Sequence, residues 1–201
     1  KLVKNSLVCG EIDAPPSKSM MQRALITASL AEGRSFISNA DFCDDSVSTM
    51  HVIESLGAKI FKGKNFVKVE GKGIEGGLKQ KKIKLNCGES GTCLRMISAV
   101  AALHNNEFLV TGKGSLLSRP VSFIEKPLKD LGAECVSSNG FPPLKINGPV
   151  HGRKVKIDGS ISSQFLSGLL MALPLCKEDS EITVLNLKSM PYVKMTQSVI
   201  S

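Results

Sequence analysis

An internal repeat restricts the folds open to this chain more than any other feature of its sequence. Leu-Gly-Ala-Lys-Ile at residues 56–60 returns as Leu-Gly-Ala-Glu-Cys at residues 131–135. Each copy follows a helical pattern of apolar residues and precedes a short strand pattern, and each is followed by a similar closing stretch, at residues 67–71 and 144–148. Because self-similarity of this kind marks a supersecondary unit used more than once, the sequence predicts an α/β fold of repeated βαβαββ units.

The repeat predicts two complete units and part of a third, at about residues 8–75, 82–150 and 153–201. The third unit supplies a strand, a helix that opens near residues 162–164 and a second strand. The chain then ends at Ser201, where another helix should be starting. We therefore expect an incomplete third unit and an absent C-terminal half.

Glycine and proline mark where the predicted helices end. Gly33 and Gly57 follow periodic apolar stretches and are expected to stop the two helices of the first unit. The second helix of the second unit should run from about Pro120 to Leu131, and Pro127, which falls inside that pattern, should kink or shorten it.

Composition excludes several classes of function. Of the 201 residues, 42% are hydrophobic and 22% charged, as in ordinary globular proteins, and no apolar run approaches the length needed to cross a bilayer. The six cysteines have no spacing suited to zinc and are expected to be free thiols in a reducing, cytoplasmic compartment. The net charge of +8 indicates an anionic partner: nucleic acid, an acidic surface or a small phosphorylated or carboxylated substrate. The densest basic run, residues 79–84, has no interleaved aromatic side chains and is expected to be solvated.

Three clusters of small polar residues, at 17–19, 89–92 and 160–164, each open a predicted helix. A helix N-terminus carries unsatisfied N–H groups and a partial positive charge, and small side chains let an anion approach it. Capping alone would explain any one cluster, but three in register with the repeat favour a shared pocket for a multiply anionic substrate. Lys18 and Arg23 can flank one anion, since Lys supplies a point charge and Arg a planar fork.

Two further arginines belong to the second unit. Arg119 lies at the mouth of a Gly/Ser-rich loop at residues 112–118, where its fork could meet a carboxylate or a phosphate. Arg95 stands four residues after Gly91 and has two interpretations, a binding residue or a support for the helix that contains it.

Five motifs occur in the order found in the 5-enolpyruvylshikimate-3-phosphate synthase family, which the chain resembles along nearly its whole length. They are Pro-Ser-Lys-Ser-Met-Met-Gln-Arg (16–23), Gly-Glu-Ser-Gly-Thr (88–92) with Arg95, Ser-Arg-Pro (118–120), Asp-Gly-Ser-Ile-Ser-Ser-Gln-Phe (158–165) and Ser-Met-Pro-Tyr (189–192). The resemblance implies an enolpyruvyl transferase-like fold of two globular halves with three repeats each, of which this chain is the N-terminal half. It also implies the transfer of the carboxyvinyl group of phosphoenolpyruvate to the 5-hydroxyl of shikimate 3-phosphate, with release of phosphate. This step of the shikimate pathway serves aromatic amino acid biosynthesis and uses no metal and no organic cofactor.

Matching the motifs position by position implies which residues bind the substrates. Lys18 is implied to be catalytic and to touch both of them. The implied ligands of shikimate 3-phosphate are Lys18, Ser19, Arg23, Ser162, Ser163, Gln164, Ser189 and Tyr192. The implied ligands of phosphoenolpyruvate are Lys18, Gly91, Arg119 and Gln164.

In the family, the other half supplies the general acid and base and further phosphoenolpyruvate ligands. The resemblance therefore implies that this chain binds shikimate 3-phosphate but is inactive alone. Its implied partners are the two substrates and the missing half, and it is expected to be a monomer with no nucleic acid or membrane partner. The first strand of the family packs with the other half, so residues 1 to about 12 are expected to be displaced or disordered.

Two positions depart from the family pattern. Glu89 stands where many members have Asn, and it could cap the helix or pair with Arg95 or Arg119. Met190 replaces a common Lys, a change that is expected to be neutral.

Two other functions remain as alternatives. UDP-N-acetylglucosamine enolpyruvyl transferase shares the repeat fold, but it usually has a cysteine in the loop before the Arg-Pro pair, and residues 114–118 contain none. A non-catalytic anion-binding module would use the charge of +8. It would not require five ordered motifs.

Overall fold

The structure, a computed structural model, describes residues 2, 4–74 and 78–201. Its α-helices are α1 (Lys18–Leu30), α2 (Asp44–Ser55), α3 (Gly91–Ala101), α4 (Glu125–Asp130), α5 (Ser163–Ala172) and α6 (Met190–Ile200). Its strands are β1 (Glu32–Ser38), β2 (Lys59–Lys62), β3 (Phe66–Lys72), β4 (Lys82–Asn86), β5 (Glu107–Thr111), β6 (Glu134–Ser138), β7 (Phe141–Asn147), β8 (Lys154–Asp158) and β9 (Glu181–Leu185).

The strands form three separate sheets, in the orders β1-β3-β2, β4-β5-β7-β6 and β8-β9. In the second sheet β4 and β5 are parallel and the other neighbours are antiparallel, so the chain from β4 to β7 forms one whole βαβαββ unit. In the third sheet β8 and β9 are parallel, and α5 connects them. The predicted α/β class and its repeated unit are confirmed.

The first unit lacks its opening strand in the described part of the chain, which corrects the prediction of a complete unit. Residues 4–17 form neither helix nor strand, and Leu7 and Ile12 are each 94% exposed. A strand needs a neighbour for its backbone hydrogen bonds, and β1 has β3 on one side and no described strand on the other. The displacement of residues 1–12 stays a prediction; those of them that the structure describes, 2 and 4–12, are exposed and belong to no strand. Residues 1 and 3, and the predicted end of the unit at residue 75, lie outside the described residues.

The repeated Leu-Gly-Ala sequence ends α2 and α4 in the same way. Gly57 and Gly132 have φ of +93° and +104°, a left-handed conformation that glycine adopts without a Cβ penalty. The next amide, that of Ala58, donates back to the carbonyl of Ile53 (3.1 Å), and the second copy closes identically. The repeat is therefore a repeated helix stop.

The second helix of the second unit is much shorter than predicted. In place of one helix from Pro120, the chain forms a turn of 3-10 helix over Ser122–Ile124 and then α4, which has six residues. Pro127 falls in the first turn of α4, where its missing N–H removes no hydrogen bond. The proline thus shortens the helix, which was one of its two expected effects.

The last helix extends further than predicted. We expected the chain to end as this helix was starting, but α6 has 11 residues. Pro191 lies in its first turn and fits there for the same reason as Pro127 in α4.

Close packing of α3 against α5 forms the centre of the core, and α1 packs on α2 and α6. Gly168 of α5 permits the contact, because a Cβ at this position would lie 2.5 Å from the carbonyl oxygen of Met96 in α3. The packing fixes the N-terminal ends of these helices relative to one another. Within the described ranges, no helix combines the length and the apolar character that a bilayer span requires.

Candidate functional site

A pocket of about 430 Å³ lies where the N-terminal ends of α1, α3, α5 and α6 meet. It is lined by Lys18, Ser19, Arg23, Thr92, Arg95, Gly159, Ser160, Ile161, Ser162, Ser163, Gln164, Ser189 and Tyr192. All eight residues that the resemblance implied for shikimate 3-phosphate are among them. Because free amides and partial positive charge gather at helix N-termini, the pocket is suited to an anion.

The serines of the three clusters also cap the helices. Ser17 accepts a hydrogen bond from the Met20 amide (3.3 Å) at the start of α1. Ser90 and Ser162 do the same for α3 and α5. Capping and an anion pocket are the two interpretations of these clusters, and the structure contains both. Ser17 and Ser90 cap while their neighbours Ser19 and Thr92 line the pocket, and Ser162 does both.

Arg23 is a buried cation at the wall of this pocket, with 1% of its surface exposed. Its Nε donates to Thr196 Oγ1 (2.8 Å), its Nη1 to the carbonyl of Ser19 (2.8 Å) and its Nη2 to Ser167 Oγ (3.1 Å). No ion pair joins it to a carboxylate within the described residues. Burial lowers the pKa of the guanidinium and Tyr192 partly offsets this, but an arginine stays charged in a protein. The pocket therefore contains a charge that an anionic ligand would neutralise.

Lys18 stands at the first position of α1 and forms an ion pair with Asp45 of α2 (3.0 Å). Its hydrogen bond to Asp45 and the charge of that carboxylate raise the pKa of Lys18. The ammonium is thus protonated at neutral pH. It is about half exposed and has three N–H donors, so the pairing with Asp45 leaves donors for a ligand.

Gln164 is fixed by two neighbours from α3 that were not among the implied ligands, Thr92 and Arg95. Its Nε2 donates to Thr92 Oγ1 (2.8 Å), and its Oε1 accepts from Nη1 of Arg95 (2.7 Å). Arg95 also lies over the ring of Phe123, and burial, followed by the charge of Arg119, lowers its pKa. Arg95 was left with two interpretations, and its position in the pocket wall favours the first. Its spacing from Gly91 and its place in the second motif both point that way.

Gly91 and Arg119, implied as ligands of the second substrate, lie together beside the pocket and not in its lining. A Cβ on Gly91 would be 3.2 Å from Nη1 of Arg119 and 3.3 Å from Nη1 of Arg95. Two guanidinium groups therefore gather over the first residue of α3. Between them they offer a second place for an anion, next to the first.

Glu89 neither caps α3 nor pairs with an arginine in the described part of the chain. Its carboxylate accepts from the amide and the hydroxyl of Ser115, both at 3.0 Å, and these bonds lower the pKa of Glu89. Both of the roles expected for it are therefore wrong. Ser90 is the cap of α3 instead.

Gln22 is a fully buried residue that sequence reasoning missed. Its Nε2 lies within hydrogen-bonding distance of Ser90 Oγ (2.7 Å), Thr49 Oγ1 (3.0 Å) and the carbonyl of Asp45 (3.3 Å). It thereby ties α1 to the start of α2 and to the cap of α3. Only its place in the first motif, next to Arg23, could have pointed to it.

The described residues contain no group of three or more His, Cys, Asp or Glu side chains placed to hold a metal ion.

Comparison with known proteins gives consistent results. The family described as EPSP synthase (3-phosphoshikimate 1-carboxyvinyltransferase) matches residues 3–201. A 3-phosphoshikimate 1-carboxyvinyltransferase from Methanocorpusculum labreanum is 39% identical over 98% of this chain and 47% of its own length. The corresponding protein of Methanobrevibacter smithii is 38% identical, over 98% of this chain and 45% of its own length. A solved structure of EPSP synthase from Acinetobacter baumannii has a TM-score of 0.75 and 26% identity, and the match covers 87% of this chain and 40% of that one. The chain spans about half the length of the curated relatives it matches.

Proposed function

Because the chain belongs to the EPSP synthase family, we propose that it is the substrate-binding half of a 3-phosphoshikimate 1-carboxyvinyltransferase. The reaction moves the carboxyvinyl group of phosphoenolpyruvate to the 5-hydroxyl of shikimate 3-phosphate and releases phosphate. The family match favours this function over the two alternatives. The enzyme acts in the cytoplasm, and this half is a monomer.

The buried, uncompensated charge of Arg23 carries the proposal for the first substrate. The 3-phosphate of shikimate 3-phosphate lies against the serine hydroxyls and the helix N-termini of the pocket. A guanidinium has five N–H groups, of which the three named protein contacts use three, so two are free for the ligand. The ligands in this arrangement are Lys18, Ser19, Arg23, Ser162, Ser163, Gln164, Ser189 and Tyr192.

Phosphoenolpyruvate occupies the neighbouring place, held by Gly91, Arg119, Gln164 and Lys18. Lys18 lies between the two anions. As a protonated ammonium it reduces their repulsion and stabilises the charge that develops when the carboxyvinyl group is transferred.

The chain alone binds shikimate 3-phosphate but does not turn it over. None of the described residues that line the pocket is Asp or Glu. Carboxylates that could act as general acid and base for the transfer would therefore come from outside this lining. The remaining half of the enzyme is the source that we propose.

Calorimetric titration of the chain with shikimate 3-phosphate tests the proposal, with shikimate and inorganic phosphate as separate controls. Saturable binding of shikimate 3-phosphate, stronger than that of either control, is expected. Ser163→Ala should weaken it, while Ser55→Ala, a serine change on the outer end of α2, should not. The proposal fails if neither the chain nor a longer protein containing both halves binds shikimate 3-phosphate. Turnover by the chain alone would show that the second half is not needed.

A further inference from the structure

We propose that Glu89 is a positioning residue that holds Arg119 in place through Ser115 and so tunes the affinity for the second anion. The identity of that anion, phosphoenolpyruvate, rests on the proposed function. The contact between Glu89, Ser115 and Arg119 does not.

The three side chains form a relay. One carboxylate oxygen of Glu89, Oε2, accepts from both donors of Ser115, its backbone N–H and its hydroxyl, each at 3.0 Å. The same hydroxyl oxygen accepts from Nη2 of Arg119 (3.3 Å). The donation to Glu89 fixes the direction of the hydroxyl proton and leaves the lone pairs of the oxygen facing the guanidinium.

The loop that carries Ser115 is shaped around the carboxylate. Gly114 has φ of +54°, and a Cβ there would lie 2.5 Å from Cδ of Glu89 and under 3 Å from both of its oxygens. The preceding amide, that of Lys113, donates to the carbonyl of Gly88 (2.8 Å). The loop is therefore held to the turn before α3 at successive residues, and Glu89 supplies the side-chain part of that attachment.

A second cation, Arg95, lies close to Arg119 and repels it. The Nη1 of Arg119 and that of Arg95 both approach the Cβ position of Gly91, and the charge of Arg119 lowers the pKa of Arg95. Within the described residues no carboxylate pairs directly with Arg119. Glu89 thus acts on Arg119 through a neutral hydroxyl, which leaves the charge of the guanidinium available to a ligand.

The relay should depend on pH in a defined direction. The two bonds from Ser115 lower the pKa of Glu89, and the charges of Lys113 and Arg119, which face it, act in the same direction. A carboxyl whose pKa is lower in the folded state keeps its contact above that pKa and loses it as the pH falls through it. Arg119 should therefore be held at neutral pH and released in acid.

NMR of the whole chain tests the proposal without relying on enzyme activity. In the wild type, the Ser115 amide should titrate with a midpoint below that of an ordinary glutamate, and the Arg119 side-chain signal should move with it. Glu89→Ala and Glu89→Gln should both abolish this titration, because neither side chain ionises. Glu89→Ala should shift the Arg119 signal towards that of a free arginine, and Glu89→Gln should shift it less, because a neutral oxygen still accepts a hydrogen bond but more weakly. Glu107→Gln, the same change at a surface pair with Lys82, should leave both signals as they are. If the Arg119 side-chain signal has the same position in Glu89→Ala as in the wild type, the proposal is overturned.

Titration with phosphoenolpyruvate in the presence of shikimate 3-phosphate measures the consequence. The contacts between Glu89, Ser115 and Arg119 are exposed to solvent. Glu89→Ala should therefore lower the affinity for phosphoenolpyruvate by only about two- to fivefold and leave the affinity for shikimate 3-phosphate unchanged. Unchanged phosphoenolpyruvate affinity after the Arg119 signal has moved would overturn the claim that Arg119 placement tunes binding. If the wild-type chain binds neither substrate, the same titrations are made on a longer protein containing both halves, and the proposed function fails only if that protein does not bind shikimate 3-phosphate either. The NMR signals decide independently whether Glu89 holds Arg119.

Discussion

Arg23 carries its charge where water is excluded and where its named partners are neutral oxygens from Ser19, Ser167 and Thr196. Such a group costs folding free energy through its lost hydration. An anion that binds beside it recovers part of that cost, so ligand binding and stability should be coupled at this residue.

Anion binding should therefore raise the melting temperature through Arg23. A ligand at a hundred times its Kd stabilises the folded chain by about 2.7 kcal/mol, which for a chain of this size raises Tm by about 5–10 °C. Arg23→Lys should lose most of the rise produced by shikimate 3-phosphate, because an ammonium cannot replace the planar fork. Lys126→Met, which removes a surface ion pair with Asp130, should leave the rise in Tm unchanged. Thermal unfolding with and without ligand measures both. Equal shifts in wild type and Arg23→Lys would contradict the role given to Arg23.

At the scale of elements, the site depends on how closely α5 approaches α3. Gly168→Ala places a Cβ 2.5 Å from the Met96 carbonyl oxygen and 2.8 Å from its Cα, and a backbone cannot rotate out of the way. The two helices must separate, which should lower the free energy of unfolding by about 1–3 kcal/mol. The affinity for shikimate 3-phosphate should also fall, because the helix ends that line the pocket move apart. Denaturant unfolding and calorimetry give the two readings.

The matched control for this change is Gly57→Ala, at the end of α2. Its Cβ would meet only side-chain atoms at 3.6 and 3.7 Å, so the cost comes from the φ of +93° alone, about 1–2 kcal/mol. The two variants should thus have similarly lowered free energies of unfolding, while only Gly168→Ala lowers the affinity for shikimate 3-phosphate. If both variants lower this affinity equally, the distance between α3 and α5 does not determine how well the pocket binds.

Local patterns predicted the elements wherever a local cause determines them. Apolar periodicity and the caps at Ser90 and Ser162 give α3 and α5, and the Leu-Gly-Ala repeat gives two helix stops. The prediction was wrong where an element depends on contacts with another segment of the protein. The opening strand of the first unit needs a neighbour that the described residues do not supply. The second helix of the second unit differs for a local reason. It is one turn of 3-10 helix followed by a short α-helix, and Pro127 supplies the cause that the sequence already indicated.

The candidate site shows the same division. The clustered serines and the basic residues of each motif are local features, and the sequence pointed to them. The contact of Gln164 with Thr92 joins residues 72 positions apart, and nothing in either segment encodes that distance. The structural importance of Gln22 and Arg95 arises only after α1, α3 and α5 have packed.

At the scale of the whole molecule, the six cysteines differ in how far solvent can reach them, so their reactivity measures the burial of different parts of the chain. Burial, reinforced by the charge of Glu125, raises the pKa of Cys135 to about 12, so at pH 8 only about one such thiol in ten thousand is the reactive thiolate. Cys9 is exposed, Cys43 and Cys176 are half-buried, and the others are buried.

Thiol labelling of the native chain at pH 8 should therefore give one fast reaction, at Cys9, and two slower ones, at Cys43 and Cys176. The three buried thiols should stay unlabelled until denaturant is added, when all six react. Mass spectrometry of the labelled peptides identifies each site. Early labelling of Cys135 would mean that the second sheet opens far more often than its packing implies.

The bond between Arg23 and Thr196 joins residues 173 positions apart. At the usual speed of synthesis, about 5–20 residues per second, Arg23 is synthesised about 9–35 s before Thr196. For that interval α1 can form, but the guanidinium has to stay in water, and α1 cannot settle in its final place against α6. The wall of the pocket around Arg23 can therefore be completed only after Thr196 has been added. A polypeptide whose synthesis stops before that residue can form the earlier sheets but not the finished anion site.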